Sequence, residues 1–323
     1  MYTNHGNISL PLAVWLASDD YDLDPAPNVI SATTLLKPLR SVILSLRIVE
    51  NQIKSSVDIS DLIASRLGTA VHTAVEVAWE KYETAMLKLG IPQKIIDTVC
   101  INPEVPDPTN INIFIEQRNT KEIMGFTISG KYDFVEEGRV KDIKTTGTYN
   151  WINGGNDSKY VMQGSIYRWL DPDTITDDLM DIEFIFTDWS PIKAQADNNY
   201  PQKRAITRTL PLYSIEDTQA FITKKLTQII NKHDLPQQDL PRCTPEELWQ
   251  KPTKYAYYKN PTSLGRATKL FDNIHDANQR NAQDGSKGKI ITRKGEVKFC
   301  RYCPARPICS QAEEYIEQGL VQL

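Results

Sequence analysis

Between Phe126 and Thr145 the chain carries two apolar-rich runs, Phe126 to Val135 and Val140 to Thr145, separated by Glu136-Glu137-Gly138. Adjacent runs joined by a tight glycine-containing turn form a β-hairpin. Side chains alternate along a strand, so Asp142 and Lys144 point to one face, and Asp133 meets them from the partner strand. Two carboxylates and an ammonium on one patch are the donor set that metal-assisted phosphodiester hydrolysis requires. Hard oxygen ligands suit Mg²⁺ or Mn²⁺, and the metal polarises the phosphate and activates a water. The lysine orients that water or offsets charge developing on the phosphoryl oxygens. An Asp-x-Lys near a hairpin turn is by itself usually a solvated face, so its neighbours in the sequence decide the reading.

Upstream, Val71, Val75, Ala78 and Trp79 recur at helical spacing. His72 and Glu76 are four apart on that helix and share a face. His72 is a candidate nitrogen ligand to the same metal, with Glu76 as the group that would fix its tautomer. Downstream, Lys159, Gln163, Tyr167 and Leu170 fall on one side of a second helix. A Lys, Gln and Tyr on one face suit phosphate and sugar contacts, and Lys159 and Arg168 are the candidate DNA-binding residues there.

The order Gly68-x-x-x-His72, Gly130-x-x-Asp133, Asp142-x-Lys144 and Gln163-x-x-x-Tyr167 resembles the PD-(D/E)xK nuclease superfamily, in particular its RecB-like exonuclease branch, over roughly His72 to Leu170. The resemblance implies a restriction-endonuclease-like α/β core, a mixed central sheet flanked by helices. It implies metal binding by His72, Asp133 and Asp142 with the Ile143 carbonyl as a further ligand. Lys144 is then the catalytic lysine, and Gln163 and Tyr167 form the supporting motif. Tyr132 stands where the family pattern has proline, and the second acid is Asp rather than Glu.

Five cysteines are present: Cys100, Cys243, Cys300, Cys303 and Cys309, the last three spaced C-x₂-C-x₅-C. No signal peptide opens the chain and no apolar run is long enough to span a membrane, so a reducing cytoplasm is the expected compartment. There, clustered cysteines point to a metal rather than to disulfides. Three ligands are one short of the four that a tetrahedral or cubane centre needs. Cys243, in a proline-flanked loop, is the chosen fourth, with Cys100 as its rival. A C-terminal cysteine trio after such a core is similar to the iron–sulfur staple of AddB-type and CRISPR-associated RecB-like nucleases, which implies a [4Fe–4S] cluster. A Cys₄ Zn²⁺ site is the alternative, because those relatives place their first cysteine upstream of the histidine and this chain has none before His72. Either centre would pin the C-terminal segment.

The 323 residues can bury a sizeable core, and 40% hydrophobic with 24% charged residues is ordinary for a globular chain. The net charge of −4 excludes a general nucleic-acid coat but not local basic patches. The sequence divides into a mainly helical part carrying His72 (1–100), the nuclease-like core (101–235) and a cysteine-bearing subdomain (236–323). Tyr21 to Pro27 is the loosest stretch. A helix with Pro38 near its start carries Arg40 and Arg47, read as surface residues. Residues 111–118 and 181–189 alternate as strands, 191–208 read as a loop, and Ser214 to His233 as a helix. Tyr255 to Lys259 reads as a strand and Arg266 to Asn281 as a helix, the core of a small β/α unit. No Gly-rich phosphate loop is present, so no motor is encoded in this sequence.

These features combine into one expectation, a metal-dependent DNA exonuclease of recombination, repair or phage DNA processing, acting on DNA ends. A helicase or strand-annealing protein is the expected partner class. A DNA end-binding adaptor with a vestigial centre and a restriction-type endonuclease are the alternatives.

Overall fold

The computed structural model describes residues 2–18, 26, 28–54 and 56–321; apart from Ala26, the stretch 21–27 lies outside them. The chain forms two compact units, residues 1–36 with 54–230, and residues 37–53 with 231–323. The helix Leu39–Glu50 therefore groups with the C-terminal cysteines, although it lies early in the sequence.

The first unit carries strands β1 (Tyr2–Thr3), β2 (Val29–Ser31), β3 (Val57–Asp58), β4 (Val99–Ile101), β5 (Ile111–Ile123), β6 (Phe126–Glu136), β7 (Arg139–Thr146), β8 (Leu179–Phe186) and β9 (Ala205–Pro211). β1 and β3 form a two-stranded parallel pair. The others build a seven-stranded mixed sheet in the order β4-β5-β6-β7-β8-β9, with β2 alongside β6. The sheet is curled and flanked by helices, consistent with a restriction-endonuclease-like α/β core.

Strands β5, β6 and β7 are a continuous antiparallel meander. Glu136 pairs with Arg139, so Glu137 and Gly138 alone make the turn, at φ +49° and +81°. Two central residues of positive φ are the hairpin turn whose twist matches the flanking strands, and glycine takes the second place at no steric cost. β7 then runs parallel to β8 over seven pairs, Val140↔Met180 to Thr146↔Phe186. Met180, Ile182, Phe184 and Phe186 fall at every second place on β8 and so share one buried face of the sheet, with Val140 paired to Met180.

Two helices place side chains against the meander. Ile63–Trp79 carries His72, and its C-terminal Trp79 packs on Phe134 with ring centroids 5.1 Å apart. Trp79 belongs to a cluster with Val99, Ile113, Ile115 and Phe134. Asp157–Leu170 carries Gln163 and Tyr167, with Asp157 in its first turn and Arg168 in its last, both favourable to the helix dipole. It approaches the sheet because position 130 has no side chain. A Cβ on Gly130 would lie 2.6 Å from Leu170 Cδ1 and 2.9 Å from Tyr167 Cδ1. Gly130→Ala is therefore expected to cost about 1–3 kcal/mol of stability and to displace Tyr167, measured as a lower Tm together with slower turnover.

The segment 191–208, read from sequence as a loop, holds the helix Pro191–Ala196 and the start of edge strand β9. Its polar residues hid the strand because an edge strand exposes one side: Ile206, Arg208 and Leu210 alternate with exposed positions. The helix expected over 266–281 is shorter, Ile274–Gln283, and is preceded by a strand. Asn273 caps it, accepting from the Asp276 N–H at 2.8 Å.

In the second unit, β10 (Lys254–Tyr258) lies between β11 (Lys269–Phe271) and β12 (Lys289–Arg293) in an antiparallel sheet. Tyr257 and Tyr258 are buried there. Pro38 separates the turn Ala32–Leu35 from the helix Leu39–Glu50. Arg40 and Arg47, expected at the surface, turn inward instead. Arg40 is 3% exposed and donates to Gln237 O (2.9 Å), Leu240 O (3.3 Å) and Ser310 Oγ (2.9 Å). Arg47 donates to the His233 and Leu235 carbonyls. Loop carbonyls without a ladder partner need donors, and these two guanidiniums supply them.

Candidate functional site

The β6–β7 ladder stops at Phe134↔Lys141. On that side of β6, the strand next pairs at Ser129, with β2. Residues 130–133 thus face a gap, and Asp133 and Asp142 are the next residues in register where the hairpin opens. Asp133 fills part of the gap: its Oδ2 accepts the Ile143 N–H at 2.8 Å. His72 enters from its helix, with Nδ1 3.1 Å from Asp133 Oδ1 and Nε2 3.0 Å from the Ile143 carbonyl. The imidazole bridges two acceptors, so His72, Asp133 and Ile143 form one hydrogen-bonded set. Glu76, the expected tautomer-fixing partner, is exposed, and both ring nitrogens of His72 are directed elsewhere.

On β7, Asp142 is 2% exposed. Its Oδ1 accepts from Gln163 Nε2 at 3.2 Å, and Gln163 also reaches the Tyr167 hydroxyl at 2.7 Å. Its Oδ2 forms a buried ion pair with Lys144 Nζ at 2.5 Å. Lys144 also sits 5.8 Å from the centre of the Tyr160 ring.

The electrostatics follow from this crowding. Burial works against a charged His72, but the Asp133 carboxylate outweighs it and raises the imidazole pKa above its ordinary value. Burial likewise pushes against an ionised Asp133, yet the hydrogen bond and charge of His72, with Lys144 and the Ile143 N–H, hold its carboxyl below the usual range. Asp142 goes the other way: burial, reinforced by Asp133, pushes its carboxyl up in spite of Lys144. Lys144 is raised, its burial outweighed by the two carboxylates. A site that holds Asp142 against its own desolvation gains from an added cation.

The His72–Asp133 pair makes a pH prediction for metal-free protein. Asp133 is depressed and His72 raised, so their mutual stabilisation is present above the unfolded carboxylate pKa and below the unfolded imidazole pKa, about 4 and 6.5. It is lost as pH rises through the folded His72 pKa. The Tm difference between wild type and His72→Gln, in chelator, should be larger near pH ~5.5 than near pH ~8.5.

Of the two proposed DNA contacts, Lys159 is exposed one turn before Gln163 on the same helix side. Arg168 is partly buried and lies five residues beyond Gln163, about 140° around the helix. Tyr132, in the place of the family's proline, is buried with its hydroxyl on Asp171 Oδ2 at 3.1 Å. Glu116 on β5 was not singled out from the sequence. It stands across from Asp133, between the pairs Ile115↔Phe134 and Gln117↔Tyr132. Ligand atoms of His72, Glu116 and Asp133 all lie within 4.8 Å of one another. The alternation of Ile111, Ile113 and Ile115 marked the strand, but only the cross-strand register reveals this neighbour.

In the second unit, Cys243, Cys300, Cys303 and Cys309 line one small cavity with Arg40 and Ser41. Cys100 is in the first unit, on β4, where its sulfur accepts from Asn110 Nδ2 at 3.4 Å. Gln311 clamps the Cys243 backbone, accepting its N–H at 2.9 Å and donating to its carbonyl at 3.0 Å. Arg40 Nε donates to Cys309 Sγ at 3.4 Å, and Ser41 Oγ lies 3.2 Å from Cys303 Sγ. Burial, with the nearness of the other sulfurs, pushes the Cys243 and Cys300 thiols up to about 12. A bound cation would stabilise the thiolates and so make these sulfurs good ligands.

No protein-family model matches the chain, and no curated protein does. Among solved structures, the chain is similar to a phage-related exonuclease from Haemophilus somnus 129PT, at 16% identity and a TM-score of 0.26, over 38% of this chain and 60% of that one. It is also similar to a protein from Eubacterium rectale named as a candidate exonuclease, at 9% identity and a TM-score of 0.39, over 71% of this chain and 94% of that one. At such scores the likeness carries no functional weight, and the reading below rests on this chain's own residues. Among the described residues, no helix is long and apolar enough to cross a membrane.

Proposed function

We propose that this chain is a metal-dependent deoxyribonuclease that hydrolyses phosphodiester bonds from DNA ends. The observation that carries the reading is the opened β6–β7 hairpin, where His72, Asp133 and Ile143 form one hydrogen-bonded set and the Asp142–Lys144 ion pair stands next in register on β7. The all-N/O donor set, with the buried Asp142 carboxylate in it, fits Mg²⁺ or Mn²⁺. A divalent cation, when bound, supplies Lewis acidity toward the scissile phosphate. His72, Asp133, Asp142 and Ile143 O would hold it. Lys144, tethered to Asp142, presents its ammonium where charge develops on the phosphoryl oxygens and orients the attacking water. Gln163 fixes the Asp142 carboxylate, and Tyr167 fixes Gln163. Lys159 offers a cation to the backbone of the bound strand.

The four-cysteine cavity is proposed to hold a [4Fe–4S] cluster, with Arg40 and Ser41 as donors to its cysteine sulfurs, a contact type that tunes such clusters. Its part is to hold the second unit together. Colourless protein carrying one zinc per chain would replace the cluster by a Cys₄ zinc site.

Cleavage of end-labelled linear DNA against closed circular DNA, with Mn²⁺, tests the reading. Release of label from linear DNA with the circle intact supports an exonuclease. Nicking of the circle makes the enzyme an endonuclease with the same centre. Binding of linear DNA with neither substrate cut makes the chain an end-binding adaptor.

A further inference from the structure

We infer that the end of the small sheet where β10 finishes is a docking surface for a nucleic-acid backbone, with Lys259, Arg266, Lys269, Lys287 and Lys289 as its phosphate contacts. The inference rests on the nuclease reading above only for naming that backbone as DNA. Residues 251–298 hold eleven Lys and Arg against four Asp and Glu, a net charge of +7 in a chain whose total is −4, so the other residues carry −11. The strand register gathers much of that positive charge in one place. Tyr257 pairs with Lys269 on β11, and Tyr258 pairs with Lys289 on β12. Lys259 follows directly on Tyr258, and its N–H donates to Thr268 Oγ1 at 3.0 Å, which closes the connection that carries Arg266. Lys287 lies two residues before Lys289. Lys269 and Lys289 stand on the outer strands, about 10 Å apart across β10.

All five residues are exposed. Among the described residues none of them is in an ion pair; the pairs of this stretch are Lys251–Glu296, Lys254–Asp272 and Arg280–Asp284. The fourth acid, Asp276, accepts from Asn273 Nδ2 at 2.9 Å at the start of its helix. The local acids are thus engaged elsewhere, and five cations at one end of a sheet repel one another until an anion from outside joins them. Their placement is firm. Gly288, between Lys287 and Lys289, packs so closely that a Cβ there would lie 2.3 Å from Tyr257 Cε2 and 2.7 Å from the Tyr258 carbonyl oxygen. Its N–H donates to Asn281 Oδ1 at 2.9 Å. Tyr257 and Tyr258 are buried, so these rings are no platform for stacked bases, and the surface offers charge to phosphates rather than a reading of sequence. A run of phosphates, one charge each, suits cations spread over three strands better than a single small anion does. A second hold on DNA within one chain also raises the effective concentration of DNA for the first.

The test is binding of fluorescent linear duplex DNA to the full chain, in chelator, across a salt series. Wild type is compared with the five-residue variant K259Q/R266Q/K269Q/K287Q/K289Q and with the pair Lys287→Gln/Lys289→Gln. The control is Lys251→Gln/Lys254→Gln, whose cations are ion-paired at the other end of β10. Each phosphate contact contributes about −0.9 to the slope of log Kobs against log salt, so the slope should become shallower by about 4 in the five-residue variant and by about 2 in the pair. The control should keep the wild-type slope, and the Tm of the variants should hold or rise, because the replaced side chains are exposed and unpaired. An unchanged slope in both test variants would overturn the inference, and wild-type cleavage of linear DNA would then leave the nuclease reading standing. Equal weakening by the control would overturn it as well, by reducing the effect to net charge. Wild type that binds polyglutamate as tightly as DNA would overturn it in favour of an acidic protein partner. The expected loss of slope in a chain whose wild type cuts no DNA would keep the surface and overturn the nuclease reading alone.

Discussion

Asp142→Asn should abolish cleavage and also destabilise the protein, and these two effects should separate when Lys144 is changed as well. Asp142 is 2% exposed and in charge contact with Lys144. Removing one partner of a buried pair leaves the other charge uncompensated, at a cost of about 3–5 kcal/mol. Lys144 keeps a quarter of its side chain in solvent, so the lower end, about 3 kcal/mol, is expected. Replacing both charges by neutral groups removes the uncompensated ammonium. Asp142→Asn/Lys144→Met should therefore recover most of the lost stability in a denaturant titration while cleaving nothing. A double variant as unstable as the single one would mean that the pair is structural in a way the geometry does not express.

Losing a cysteine of the second unit should have the largest effect on folding. Structural metal sites contribute on the order of 10 kcal/mol of binding free energy that is also folding free energy. Cys243→Ser should release the metal and unfold the second unit, measured as lost iron or zinc content, lost absorbance for a cluster, and lost amide protection over residues 231–321. Cys100→Ser, in the first unit, should change none of these. The comparison separates the two candidates for the fourth ligand. Thiols that burial holds near 12 must release protons on loading, so metal uptake should also be accompanied by acidification of a weakly buffered solution.

The hairpin was legible in the sequence because its signals are local: two apolar runs, a turn with glycine in second place, and acids at fixed offsets. The helix bearing His72 was legible for the same reason, through the spacing of Val71, Val75 and Trp79. What escaped depends on partners distant in sequence. Glu116 looks like one more polar residue on a strand until the register sets it across from Asp133. Arg40 and Arg47 look like surface cations until the loop carbonyls around residues 233–240 claim them. Strand β9 looks like loop because its edge position lets polar residues occupy every second place. The helix Leu39–Glu50 shows the limit most plainly. Its apolar pattern announces a helix, but nothing local says that it packs in the same unit as cysteines some 260 residues later.

Nucleotide release from linear duplex DNA, with Mn²⁺ and with chelator, measured side by side for wild type and for Asp142→Asn/Lys144→Met, tests the central claim most directly. The account predicts Mn²⁺-dependent release by the wild type and none by the double variant, with both folded by circular dichroism. Equal release by the two proteins would contradict it and would place the chemistry away from the β6–β7 hairpin.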